Sequence, residues 1–246
     1  MRLLNFDNID TWGKNLISLF EKLDVLDANV ETYKKNMATK EQVMNMEMFK
    51  RFNKERANIY NNIKDEINER EAIVYHFTRL TIDEYNSIAI NGLKILNKQN
   101  QLNRIKKLEI DKDIKEKMIK VVNKEDFSDR EGRIHFIYSL YSIDSGCKPF
   151  LENWGGESIY NIVEHDIAID NKILKIGNPY IIKFKVKCKY FNTGIPIGNM
   201  QQKLKRGKMQ GENSVNCDID CKNILEINRA DEILTNIVGG MKWTKM

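Results

Sequence analysis

Ile73-Val74-Tyr75-His76-Phe77, continued by Thr78-Arg79 and then by Thr81-Ile82-Asp83-Glu84, is where the character of this chain changes. The first run is rich in β-branched and aromatic residues, which fill a pleated surface well, and it predicts a strand. A Thr followed three residues later by Glu is the capping box that opens a helix, and Ile82, Tyr85 and Ile88 then share one helical face. Gly92 is placed to end that helix as a left-handed cap, with Leu93 packing behind it. Strand, short helix and Gly-Leu form the best-defined local unit in the sequence.

Upstream of Ile73 the pattern is helical. Leu16, Leu19, Phe20, Leu23 and Leu26 recur at three- and four-residue steps. A second stripe runs from about Lys40 to Glu69 through Val43, Met46, Phe49, Phe52, Ile59, Ile63 and Ile67. Neither Gly nor Pro interrupts the chain between Lys14 and Gly92, so long helices are expected. We read residues 1–72 as a helical N-terminal segment, a hairpin that packs on the domain C-terminal to it. Its sharper reading is a docking surface for a protein partner.

Downstream, Gln101 to Asn123 predicts a charged helix with Ile105, Leu108, Ile114, Met118 and Val122 inward, resembling an insertion or lid. Ile134 to Leu140 predicts a strand. Tyr180 to Tyr190 alternates with period two: Lys183, Lys185, Lys187 and Lys189 fall on one face and Ile182, Phe184, Val186, Cys188 and Tyr190 on the other. A Lys row is ordinarily the wet side of a sheet and protects an edge strand from aggregation. Phe191 to Gln210, with Gly194, Pro196, Gly198 and Gly207, reads as a long loop. Asn213 to Asp218 and Ile224 to Ile227 predict short strands, and Ala230 to Ile237 a last helix. Residues 73–246 thus form one domain of the α+β class, a mixed, mainly antiparallel sheet with few helices.

Bulk properties narrow the function. Of the 246 residues 41% are apolar, enough for a core, while 30% are charged and no run of 18 or more apolar residues exists, so no transmembrane helix is expected. The N-terminus carries Asp7 and Asp10 and does not resemble a secretory signal. Cys147, Cys188, Cys217 and Cys221 are therefore expected as free thiols in the cytoplasm. Cys217 and Cys221 lack a second ligand pair, so no metal is expected. The net charge is only +5, but ten Lys or Arg and no acid occur between Asn171 and Gly211. Such a block favours a phosphate-bearing partner.

Among the histidines, His76 lies inside an apolar strand. It is either a satisfied core residue or a side chain delivered to a cleft. His135 alternates in another strand, and His165 lies beside Glu164 and Asp166. No Ser or Cys nucleophile pairs with them in a recognisable order, so a hydrolase triad has no support. Glu212 follows forty residues without an acid, behind Gln210-Gly211. A carboxylate among cations stays ionised and suits stabilisation of a developing positive charge; an exposed Glu opening a strand is the plain alternative. Trp154-Gly155-Gly156-Glu157 predicts a tight turn against an aromatic plate, and Glu157 is a second candidate acid.

Taken in order, Tyr75-His76-Phe77-Thr78-Arg79, the short helix, Gly92-Leu93, and then Gln210-Gly211-Glu212 with Ile224-Leu225-Glu226-Ile227 resemble the motifs of ADP-ribosyltransferase-like domains. The resemblance is to the branch with tRNA 2′-phosphotransferases and DNA-targeting ADP-ribosyltransferase toxins. It implies a split sheet, NAD as co-substrate, and transfer of ADP-ribose to a nucleic acid or protein in a toxin or antiviral defence setting. By that likeness His76 and Glu212 are catalytic: His76 holds the adenosine ribose, and Glu212 holds the nicotinamide ribose and stabilises its oxocarbenium. Thr78 and Arg79 lie beside the cofactor, and Tyr138 or Tyr141 stacks on nicotinamide. Lys203, Lys205, Arg206 and Lys208, in the loop before Glu212, bind the target. The rival readings are a nucleic-acid-binding module without catalysis, a protein-interaction subunit and, as a close variant, a phosphotransferase that consumes NAD while removing an RNA phosphate.

Overall fold

The computed structural model describes residues 3–35, 47–124, 130–141, 148–155, 159, 169 and 172–237. The chain is α+β, and it divides into two compact units: residues 1–72 with 187–209, and residues 73–186 with 210–246. No described helix is long and apolar enough to cross a membrane.

In the first unit, β1 (Leu4–Asn5) and a 3-10 turn (Ile9–Thr11) lead into α1 (Lys14–Lys35), which packs on α2 (Glu47–Asn68). The expected stripes make the contact: Leu16, Phe20, Leu23 and Leu26 of α1 and Phe49, Ile59, Ile63 and Ile67 of α2 are buried. Val43 and Met46 lie outside the described residues. Trp12 plugs the start of α1 against Phe20, its indole N–H donating to the Asn5 carbonyl at 3.0 Å. Buried Arg70 ties the end of α2 back to this corner, donating to the carbonyls of Trp12 at 2.7 Å and Thr11 at 2.6 Å.

The expected loop at Phe191–Gln210 is in fact half helix: α7 (Ile197–Arg206) packs on α2. Its breakers are its caps. Pro196 stands at the N-cap, where a missing N–H costs nothing, and Gly207 ends the helix at φ +74°, its N–H donating to the Lys203 carbonyl at 2.8 Å. Between them Ile197, Met200 and Gln201 are buried, the Gln201 amide donating to Asp24 at 2.5 Å and Asp27 at 3.0 Å of α1.

The second unit is built on a mainly antiparallel sheet of order β5-β3-β2-β4-β6. Its strands are β2 (Glu71–Leu80), β3 (Ile134–Ile137), β4 (Asn178–Lys187), β5 (Glu212–Val215) and β6 (Ile224–Arg229). β1 also pairs with β2, which begins in the first unit. Both faces of β2 are covered, which explains a run without clean alternation. Tyr75 and Phe77 join Ile137, Leu151, Ile181 and Ala230 in one cluster, under α6 (Pro149–Glu152) and α8 (Ala230–Ile237). Val74, Thr78 and Leu80 are buried on the other side. β4 shows the expected period, with Ile182, Phe184 and Val186 buried. It is an interior strand, however, not an edge. β6 pairs outside it in the register Lys183↔Glu226, and Lys183 meets Glu226 at 2.7 Å. The wet face of the sheet therefore matches charge to charge across strands.

α3 (Ile82–Asn91) opens with both halves of the capping box: Glu84 N–H donates to the Thr81 hydroxyl at 3.2 Å, and Thr81 N–H to the Glu84 carboxylate at 2.9 Å. The face that turns inward carries Glu84, Tyr85 and Ile88, while Ile82 stands 65% exposed. Gly92 ends the helix at φ +76° with ψ −173°, an extended turn and not the expected left-handed cap. The cause is Leu93, whose N–H and carbonyl exchange hydrogen bonds with Ile219, each at 2.9 Å. A Cβ at Gly92 would lie 1.9 Å from the Ile219 carbonyl oxygen. The charged segment after it is two helices, α4 (Lys98–Lys107) and α5 (Lys112–Lys124). Ile105, Leu108, Met118 and Val122 form a core there with Trp154, Ile173 and Ile176.

Candidate functional site

A cavity of about 1250 Å3 opens within the second unit, lined among others by His76, Thr78, Glu84, Arg104, His135 and Glu212. Its floor is the place where the sheet parts. β3 holds β5 through four consecutive register pairs, Ile134↔Val215 to Ile137↔Glu212, whereas β2 meets β3 in register only at Tyr75↔Ile137. In an unbroken ladder Glu212 would share a face with Ile137 and Tyr75, and His76 would face away. The ladder is broken at His76. Its imidazole reaches into the gap and bonds the main-chain carbonyl of His135 at 2.8 Å.

That hydrogen bond fixes the chemistry of the ring. A carbonyl only accepts, so Nδ1 carries the proton and donates it. Burial pushes the His76 pKa below its ordinary value, against the bond to the His135 carbonyl, while His135 itself and then Arg104 lower it further. The ring is neutral at pH 7, and Nε2 presents a lone pair, suited to accept from a ligand hydroxyl. Thr78, two residues on along β2, lines the same cavity and is buried.

Glu212 is the first residue of β5, is exposed, and is among the residues that line the cavity. Its backbone position is fixed from both sides, by the pairing with Ile137 and by the Tyr138 N–H donating to the Gly211 carbonyl at 3.2 Å. The residue is thus held at its main chain while its side chain stays exposed.

Other expected site residues are placed differently. Arg79 is committed to main-chain carbonyls, donating to Ile176 at 2.7 Å and Gly177 at 2.8 Å, and it does not line the cavity. It clamps the chain ahead of β4 against β2, where a Cβ on Gly177 (φ +63°) would lie 2.1 Å from the Leu80 carbonyl oxygen. Tyr138 is buried with its hydroxyl accepting from the Asn213 amide at 2.7 Å, and its ring packs edge-on to Phe136. Tyr141 is 38% exposed; neither tyrosine is among the residues lining the cavity. Lys203, Lys205, Arg206 and Lys208 belong to the first unit. Two of these cations are engaged: Lys203 is buried and donates to the Gly207 carbonyl at 2.8 Å, and Lys205 pairs with Asp24 at 2.8 Å. Arg206 and Lys208 are exposed. Glu157 and His165 lie outside the described residues.

Searches against protein-family models, curated proteins and solved structures find no match for this chain. The site therefore rests on its own geometry. Among the described residues no group of three or more His, Cys, Asp or Glu gathers to hold a metal. Burial pushes the Cys188 thiol up to about 12, so it remains a protonated core residue.

Sequence reasoning missed one constellation on the cavity wall. Glu84, the capping-box carboxylate, also accepts from Arg104 Nε at 2.7 Å and from the Trp154 indole N–H at 2.9 Å. Arg104 lies over the Trp154 ring, 4.9 Å from its centroid, and donates to buried Gln101 at 2.6 Å. Burial raises the Glu84 pKa, but the Arg104 charge and the hydrogen bonds outweigh it and hold the carboxyl below its ordinary value. The capping signal singles out Glu84, and the Trp-Gly pair singles out Trp154. Nothing in local sequence joins either to Arg104.

Proposed function

We propose that this cavity binds NAD and that the protein is an NAD-dependent ADP-ribosyltransferase acting on a nucleic acid or protein. The observation that carries the reading is the neutral, oriented His76 imidazole set in the gap of the sheet, on the same cavity as the open carboxylate of Glu212. A volume of about 1250 Å3 accommodates a dinucleotide, since sites for drug-sized ligands run to roughly 1,000 Å3. The order of the motifs along the chain supports the same assignment.

In this reading His76 Nε2 accepts from a hydroxyl of the adenosine ribose and sets the dinucleotide in register. Glu212 accepts from a hydroxyl of the nicotinamide ribose. The bond between C1′ and the nicotinamide nitrogen breaks, its electron pair leaving with nicotinamide, and the ribose becomes an oxocarbenium. The Glu212 carboxylate stabilises that positive charge, which exists only near the transition state. An acceptor oxygen or nitrogen then bonds to C1′ and releases its proton. Overall, NAD and the acceptor yield ADP-ribosyl-acceptor, nicotinamide and one proton.

The test is incubation of the full chain with NAD labelled in the adenosine half, together with single-stranded DNA, RNA or cell lysate. Nicotinamide release and retained label are expected. Glu212→Gln should cut turnover about 10²-fold, the cost of removing one pre-positioned charge-stabilising group. Turnover unchanged by that substitution, or no consumption of NAD with any acceptor, would overturn the proposal.

A further inference from the structure

We infer that Arg104, carried on α4, is a ligand-binding residue of the cavity and takes a phosphoryl oxygen, so that the ligand is a nucleotide diphosphate ester and not a neutral nucleoside. The inference deepens the NAD reading and rests on it for the identity of the nucleotide. It requires only that the cavity bind a phosphorylated one.

The guanidinium is held on two sides. Nε donates to Glu84 at 2.7 Å, Nη1 to Gln101 at 2.6 Å, and the plane lies on the Trp154 ring. The partners are themselves fixed: Glu84 by the Thr81 N–H and the Trp154 indole, Gln101 by burial to 1% exposure. One edge and one face of the guanidinium are thereby fixed, whereas a surface Arg samples many rotamers. Of its five N–H donors, those on Nη2 find no partner among the described residues. The side chain is 30% exposed and lines the cavity.

A planar donor edge that is already oriented matches the oxygens of a phosphate, and little rotamer entropy is left to lose on binding. It also stands near enough to His76 for its charge to act on the imidazole. Glu84 neutralises Arg104 formally, but the wall is not left neutral. Over the whole lining, seven Lys or Arg stand against five Asp or Glu, so cations are in excess. A ribose hydroxyl on His76 Nε2 and a phosphoryl oxygen on Arg104 Nη2 are neighbouring groups of one nucleotide. The α4–α5 pair thus contributes to binding through the one side chain that its neighbours hold in place.

The experiment compares ADP, adenosine and inorganic pyrophosphate by calorimetry and competition, on the full chain and on Arg104→Ala and Arg104→Lys. Wild type should bind ADP more tightly than adenosine, and pyrophosphate should displace ADP. Arg104→Ala should weaken ADP about tenfold or more, as for loss of a charge-assisted hydrogen bond, and adenosine by less than about twofold. Arg104→Lys, which keeps the charge and loses the fork, should fall between. A merely structural Arg104 would weaken both ligands alike, and that result overturns the inference. So does unchanged ADP affinity, or a wild type that binds adenosine as well as ADP. If Arg104→Ala leaves Glu84 bare and fails to fold, the double variant Glu84→Gln, Arg104→Gln keeps a neutral hydrogen bond and must show the same split between ligands. Arg104-dependent ADP binding without nicotinamide release sinks the transferase and spares this inference. NAD turnover with KM unchanged in Arg104→Ala does the reverse.

Discussion

Residues 71–93 and residues 187–209 are each about twenty residues of strand or turn followed by a short helix that ends in a positive-φ glycine, and their residues announce that structure in opposite ways. The first is largely legible: β2, the capping box and α3 stand where the residue pattern puts them, and Gly92 ends the helix at the expected residue though not in the expected left-handed conformation. The second reads as a loop, because its Gly and Pro count as breakers. They are the boundaries of α7. What separates the two is the kind of signal. Thr81 and Glu84 announce a helix start through side-chain chemistry, while Pro196 and Gly207 mark one by permission alone, and permission is equally consistent with no structure.

The two terminal glycines carry the largest expected difference between these regions. Gly92 and Gly207 share a φ near +75°, but a Cβ at Gly92 collides with the Ile219 carbonyl at 1.9 Å and one at Gly207 meets nothing within 4 Å. Gly92→Ala should cost about 3 kcal/mol or more, because the Leu93–Ile219 bridge must open. Gly207→Ala should cost only about 1 kcal/mol, the backbone penalty alone. Chemical denaturation of both variants gives the difference. Equal losses would mean that crowding at Gly92 contributes nothing.

Next in size is Met200→Ala. The side chain is fully buried in α7, and deletion should cost about 2–3 kcal/mol through lost burial and a cavity. Were residues 197–206 a loop without a packed face, the variant would be as stable as wild type. The same denaturation curve therefore decides between helix and loop. Smaller again is Thr81→Ala, which removes one half of the capping box and should cost about 1 kcal/mol.

How much of the molecule is legible depends on the range over which each signal acts. Periodicity and caps work over a few residues, and they place α1, α2, β2, α3, β4 and α8 with little displacement. The interior position of β4 is not legible, since a Lys row looks alike at an edge and beside a strand that offers a Glu to it. It takes the Lys183↔Glu226 register to tell them apart. The site splits in the same manner. His76, Thr78 and Glu212 border one cavity. Arg79 sits in the same motif as His76 and Thr78, and Tyr138 follows the strand Ile134–Ile137, but they are engaged with Ile176, Gly177 and Asn213. A side chain's partner far along the chain decides whether it is free for a ligand, and no local pattern encodes that partner. Arg104 is the converse case, an Arg in an ordinary charged helix that Glu84 and Trp154 turn into a fixed donor.

The smallest effect concerns pH and isolates His76. Its pKa is lowered in the folded chain, first by burial, so the unfolded chain takes up a proton before the folded one does. The contribution of the neutral ring is therefore fully present above the ordinary value of 6.5 and lost as pH falls below it toward the folded value. Acid works against the ring in two ways. It favours the unfolded chain, and where the folded ring does take a proton it converts Nε2 from acceptor to donor. Ligand affinity should thus decline at lower pH than stability begins to, as pH falls through the folded value. His76→Gln, which cannot titrate there, should flatten the pH dependence of unfolding between 6.5 and the folded value. A variant with the wild-type slope would show that the acid sensitivity arises elsewhere, and that the imidazole in the gap of the sheet is not the group whose neutrality the pocket requires.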